Sequence, residues 1–212
     1  MTHHWSRRDM LRRTAALGAV AAVPVRVWAQ AAAEPPPNLT AAETVTLEAI
    51  VARLIPSDAN GPGALEAGAA RYIDRALGEA FAGLREIYTA GLAALNAYAL
   101  QTAGQPFAKL APERQDSVLR DLEQNRATGF ASGAAAFFEL VLEHTLEGTF
   151  GDPHYGGNQG FIGWNLVGYP GIHLAVTAEQ QRMDAVIEPL RRSAYDLGAF
   201  DAHASAEDHH GD

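Results

Sequence analysis

Along most of the chain apolar residues recur three and four positions apart, and no stretch sustains the alternation that a half-buried strand requires. That periodicity confines the fold to packed helices. Thr40-Ala41-Ala42-Glu43 is a capping box ahead of Leu47, Ile50, Val51, Leu54 and Ile55, and Pro56 ends the helix it opens. Ser57-Asp58-Ala59-Asn60-Gly61-Pro62-Gly63 then breaks the chain. Over residues 64–100 the helical spacing resumes through Tyr72 and Ala76, then Leu84, Ile87, Tyr88, Leu92 and Leu95, with 78–83 dividing the stretch in two. Pro112 suits the first turn of a fourth helix carrying Val118, Leu119 and Leu122. A fifth, from about residue 134 to 147, is apolar on most sides and is expected at the centre. Thr177-Ala178-Glu179-Gln180 is a second capping box, expected to open a last helix that Pro189 kinks or ends. The expectation is one all-α domain of about six helices.

The N-terminus reads as an address rather than as part of that domain. Ser6-Arg7-Arg8-Asp9-Met10-Leu11-Arg12 is a paired-arginine run, and the alanine-rich stretch 14–25 behind it is too short to span a membrane. Arg26 follows, and Ala29-Gln30-Ala31 places small residues, Ala29 and Ala31, at the −3 and −1 positions of a cleavage site. The pattern resembles a twin-arginine signal peptide over residues 1–31, with Arg7 and Arg8 as the pair read by the twin-arginine translocase. The Pro-rich stretch 32–38 reads as a stiff linker, 39–200 as the helical domain, and 201–212, rich in His and Asp, as a disordered tail. Net charge is −9 and becomes about −13 once residues 1–31 are removed, which excludes a phosphate-backbone binder; no nucleic-acid partner is expected. The chain has no cysteine, which excludes disulfides, thiolate zinc, cysteine-held iron–sulfur clusters and the C-x-x-C-H haem attachment.

Residues 148–171 do not fit a plain bundle, because 24 positions hold eight glycines and the rings of Phe150, Tyr155, Phe161, Trp164 and Tyr169. So long a loop without regular structure is usually functional or disordered, and aromatic rings seek burial, so an ordered loop is expected. Two readings stand. In one, the rings meet a partner chain, with Tyr155, Trp164 and Tyr169 as anchors, Gly156 and Gly157 letting the backbone come close, and Pro170 beside them. Asp152 and Asn158 lie in this surface too and fix the loop's own turns. In the other, the rings cap the open end of the helical core.

The same segment carries a resemblance. His144-Thr145-Leu146-Glu147-Gly148 running into Gly151-Asp152-Pro153-His154-Tyr155-Gly156-Gly157-Asn158, then Gly163-Trp164 and Gly168-Tyr169-Pro170-Gly171, resembles the signature of the gluconate 2-dehydrogenase subunit 3 family. Leu39-Thr40-Ala41-Ala42-Glu43, Arg53-Leu54-Ile55-Pro56, Gly61-Pro62-Gly63-Ala64 and Tyr72-Ile73-Asp74 are similar to that family's N-terminal part, so the likeness spans 39 to about 190. Gln159 stands where arginine is frequent. The resemblance implies a small exported subunit of a flavin-dependent sugar or sugar-acid dehydrogenase, periplasmic or held peripherally at the inner membrane through its complex. It implies a larger subunit that carries FAD and the chemistry, a multihaem cytochrome c subunit in some complexes, and no cofactor in this chain. The small subunit supplies the export signal. No catalytic residue is carried over.

Residue chemistry offers little else. Glu143, His144 and Glu147 lie close on the fifth helix, but a di-metal bundle needs two Glu-x-x-His helices and two further glutamates, whereas His-x-x-Glu occurs here once. His144 shares a face with Phe137, Leu140 and Val141, so it is expected buried, donating to a carboxylate or carbonyl. His154 has no nucleophile beside it in sequence, and there is no phosphate loop, dinucleotide fingerprint or G-x-S-x-G elbow. His203, His209 and His210 belong to the tail, and His3 and His4 leave with the signal. The expected site therefore holds no catalytic, cofactor or metal residues. The competing function is an independent exported helical binding protein, or an unusual enzyme using the 148–171 loop.

Overall fold

In the computed structural model, described over residues 37–197, the chain is a bundle of six α-helices linked by short turns, with no strand among the described residues. The signal reading with Arg7, Arg8, Ala29 and Ala31, most of the Pro-rich linker, and the tail with its histidines lie outside the described residues.

The first helix, α1 (Ala41–Leu54), starts as its sequence directs: the Glu43 amide donates to the Thr40 hydroxyl, and the Thr40 amide donates back to Glu43 Oε2 at 2.8 Å. Together these satisfy two of the amides that a helix start leaves without partners. It buries Leu47, Ile50 and Val51. Helix α2 (Ala69–Ala76) and helix α3 (Arg85–Ala103) are the two halves expected from the periodicity. Helix α4 (Pro112–Glu123) begins on its proline and buries Val118, Leu119 and Leu122. Helix α5 (Ala134–Phe150) lies at the centre, against α1, α2, α3, α4 and the short α6 (Ile162–Leu166). The crossing of α5 with α2 needs Gly148, because a Cβ there would stand 2.9 Å from Ala69 Cα. The core joins Leu47, Val51, Ile73, Tyr88, Leu92, Leu95, Phe107, Leu122 and Val141. Arg53, on α1, clamps Asp116, on α4, through two hydrogen bonds of 2.6 and 2.8 Å.

Four expectations are corrected. Helix α5 continues three residues past Glu147 to Phe150, so the glycine-aromatic segment begins inside a helix. That segment is ordered but is not one loop: it holds 3-10 turns at Pro153–Tyr155 and Gln159–Phe161 and then α6. The helix expected at Thr177 is absent, and α6 is the sixth helix instead. The capping contacts do form, since the Gln180 amide donates to the Thr177 hydroxyl and the Thr177 amide donates to Gln180 Oε1 at 2.9 Å. Beyond them there are only turns up to Pro189. A dozen residues cannot hold a helix without a surface to pack against, and Met183 and Val186 here have none. Ile87 is also turned outward rather than into the core.

Candidate partner-binding surface

The glycine-aromatic segment closes the C-terminal end of α5. A helix end leaves four carbonyls without partners, and here the following chain supplies donors. The Gly151 amide reaches Glu147 O, the Asn158 amide reaches Gly148 O at 2.7 Å, and Trp164 Nε1 reaches Phe150 O at 2.9 Å. Asn158 is fully buried, at 0% exposure, and both ends of its amide are used: Nδ2 donates to Gly151 O and Oδ1 accepts from the Gly163 amide. Its φ of 44° is the left-handed turn that asparagine tolerates. Gly157 leaves no room for a side chain, since a Cβ would come within 2.1 Å of Gly148 O. The close approach that its glycine permits is to this chain's own helix.

The anchors divide. Trp164 is turned inward, with 4% of its surface exposed, whereas Tyr155 and Tyr169 expose 48% and 39%. Tyr169 stands edge-on to Trp164 at 5.0 Å, so the buried ring positions the exposed one. Gly156 turns beside the Arg75 side chain, and Pro170 O accepts from the Leu190 amide. Asp152 holds two chain segments together: Oδ1 accepts from the His154 amide and Oδ2 from the Ala194 amide. Burial works against its charge, but the Ser193 hydroxyl and the two amides outweigh that and lower its pKa.

Tyr195, which the sequence reading passed over, completes this surface. Its ring stacks on His154 at 3.9 Å, and its hydroxyl meets that of Tyr155. The signal for it was a third capping box, Ser193-x-x-Asp196, which forms and turns the chain so that Tyr195 faces the loop. Between Tyr155 and Tyr195 in sequence, Val167, Leu174, Val176, Met183 and Val186 are also exposed, all of them after the end of α6.

Of the acid–base candidates on α5, His144 is spent inside the bundle, while Glu143 and Glu147 lie on its surface. His144 is buried between Phe81, stacked on it at 4.2 Å, and Tyr88, whose hydroxyl shares a hydrogen bond with Nδ1 at 2.8 Å. Its partner is thus a phenol, not the carboxylate or carbonyl expected. Burial lowers the His144 pKa in spite of Glu147 and Glu143, and burial raises that of Tyr88. Glu147 accepts from the Tyr72 hydroxyl at 3.0 Å, and burial together with that carboxylate pushes Tyr72 up to about 12. Among the described residues no group of three His, Asp or Glu side chains could hold a metal, and no helix is long and apolar enough to cross a membrane.

The glycines do not form a dinucleotide cradle either. Such a cradle presents free amides at a helix N-terminus, whereas this run follows the C-terminus of α5, where the Gly151 and Asn158 amides go to helix carbonyls. An apolar groove of about 340 Å³ lies between α3 and the stretch 130–140, with Ile87, Phe130, Phe137 and Leu140 in its walls and Glu86 as its one carboxylate.

No curated protein and no solved structure matches the chain. The model of the gluconate 2-dehydrogenase subunit 3 family matches residues 41–171, from the first residue of α1 to the end of the glycine-aromatic segment. That is more than half of the chain, which therefore belongs to the gluconate 2-dehydrogenase subunit 3 family, small subunits of a multi-subunit dehydrogenase.

Proposed function

We infer that this chain is the non-catalytic small subunit of a periplasmic FAD-dependent sugar or sugar-acid dehydrogenase, and that it carries the larger flavoprotein subunit through export and stabilises it. FAD belongs to that larger subunit, and haem c to a cytochrome subunit where the complex has one. The observation that carries the reading is the exposure of Tyr155, Tyr169, Tyr195 and the apolar side chains between them, on a segment where Asn158 and Trp164 are spent on its own backbone. Such a surface suits binding another protein rather than performing chemistry. Of the polar side chains in the 148–171 stretch, Asp152, Asn158 and Trp164 are each engaged in holding the fold, and the exposed His154 ring stacks on Tyr195.

Export provides the test. Replacing Arg7 and Arg8 together with lysine should leave both this chain and its larger subunit in the cytoplasm, read by fractionation and by flavin content of the periplasm. Normal export of the larger subunit in that variant overturns the escort role.

A further inference from the structure

The segment 177–188 lies beyond the part of the chain that the family model matches. It presents a contradiction between local encoding and observed form. Both capping contacts of Thr177 and Gln180 are made, and the Gln181 amide donates to Thr177 O at 3.2 Å, the first turn of an α-helix. The helix then stops, although Met183, Val186 and Ile187 stand at the i, i+3, i+4 spacing of a single face. Met183 and Val186 are left wholly or almost wholly exposed, at 107% and 89%. Side chains that apolar, held in water on a chain that is one turn into a helix, lack only a surface to pack on.

The geometry points to a helix that residues 178–188 complete on the larger dehydrogenase subunit, laying Met183, Val186 and Ile187 into an apolar groove with a basic rim. This rests on the subunit reading above and names where the two chains meet. The rim follows from charge: the segment carries Glu179, Asp184 and Glu188 against Arg182 alone. The same charge disfavours a second copy of this chain as the occupant, because its apolar groove presents Glu86. Pro189 sets the end of the helix, and beyond it the Leu190 amide bonds to Pro170 O, which ties the segment to the exposed ring of Tyr169. The mode is an amphipathic helix in a groove, ordered as it binds.

The test uses the complex recovered with the tagged full chain, its larger subunit identified by mass and flavin absorbance. Amide hydrogen exchange over 178–188 should be fast in the free chain and slow in the complex. Gln181 and Ala185 fall on the helix face opposite Met183, so glycine at both lowers helix propensity without altering the docking face. Gln181→Gly with Ala185→Gly should weaken the complex about tenfold or more, while Gln181→Ala should not weaken it. Unprotected amides in the complex, or a glycine variant that binds as tightly as the unaltered chain, overturns this inference and leaves the subunit reading standing. Failure of the unaltered chain to bring down any flavoprotein overturns both. A homodimer, or binding to anionic vesicles that the glycine pair abolishes, also overturns the assignment to the larger subunit.

Discussion

Trp164 and Tyr169 touch edge to face, yet they do different work. Trp164 has its ring buried and its Nε1 on the last carbonyl of α5, so its removal opens a cavity and strands that carbonyl. Truncation to alanine should cost about 3–5 kcal/mol of folding stability. Tyr169 has much of its surface in water, so Tyr169→Ala should cost less than about 1 kcal/mol of stability and should instead weaken the complex about tenfold. Calorimetry and partner affinity on the two variants separate these roles. Equal loss of stability in both would place Tyr169 in the core and remove it from the surface. Asn158 belongs with Trp164, because nothing of it is left for a partner to touch.

Helix α1 shows what an element requires beyond its own sequence. Glu43 closes the capping box and also takes the Arg85 guanidinium, at 2.8 Å from Nη2, so that one carboxylate starts α1 and ties it to α3. Burial opposes its charge, but Arg85 and the Thr40 groups outweigh that and lower its pKa from 4.5 to about 2. A carboxylate whose pKa is depressed on folding contributes stability above its unfolded value and loses it as protons bind. The contribution is therefore complete above pH 4.5 and fades down to about pH 2. The full shift is worth about 3 kcal/mol, and solvent screening leaves less than that. Glu43→Gln should accordingly destabilise the chain at neutral pH and make little difference near pH 2, measured by denaturant unfolding across that range. A constant difference at all pH values would show that the carboxylate's charge plays no part.

At the scale of the whole molecule, the bundle and its C-terminal stretch are joined at a few points: Asp152 to the Ala194 amide, Tyr155 to Tyr195, Pro170 to Leu190, with Leu197 buried. A chain ending at Arg192 would lose the first two of these and the burial of Leu197. Its melting temperature should fall by about 2–4 °C for each kcal/mol so lost, the loss being roughly 1–3 kcal/mol. An unchanged melting temperature would mean that the stretch after Arg192 adds nothing to the bundle. The division of labour is spatial: helices α1 to α5 supply the core, and the chain after α5 first seals their end and then presents its apolar side chains outward.

Much of this was legible from the residues alone. The first capping box, the proline at the start of α4, the break at 78–83 and the central α5 are local signals, each set by backbone donors or by the spacing of apolar side chains within one element. The family signature was legible too, since glycines that let backbones touch, and an asparagine that turns against a helix end, are needed whatever lies around them. Other features required the fold. A sequence cannot tell whether a tryptophan in a glycine-rich run faces a partner or its own helix, because that depends on which carbonyl lies within reach of its N–H, and Phe150 O is brought there by the chain's return. The pairing of His144 with Tyr88 depends on the packing of α3 against α5. The missing helix at 177 has the same cause: a capping box specifies where a helix begins, but burial of its apolar face decides whether it forms, and that burial is a property of the surrounding surface rather than of the segment.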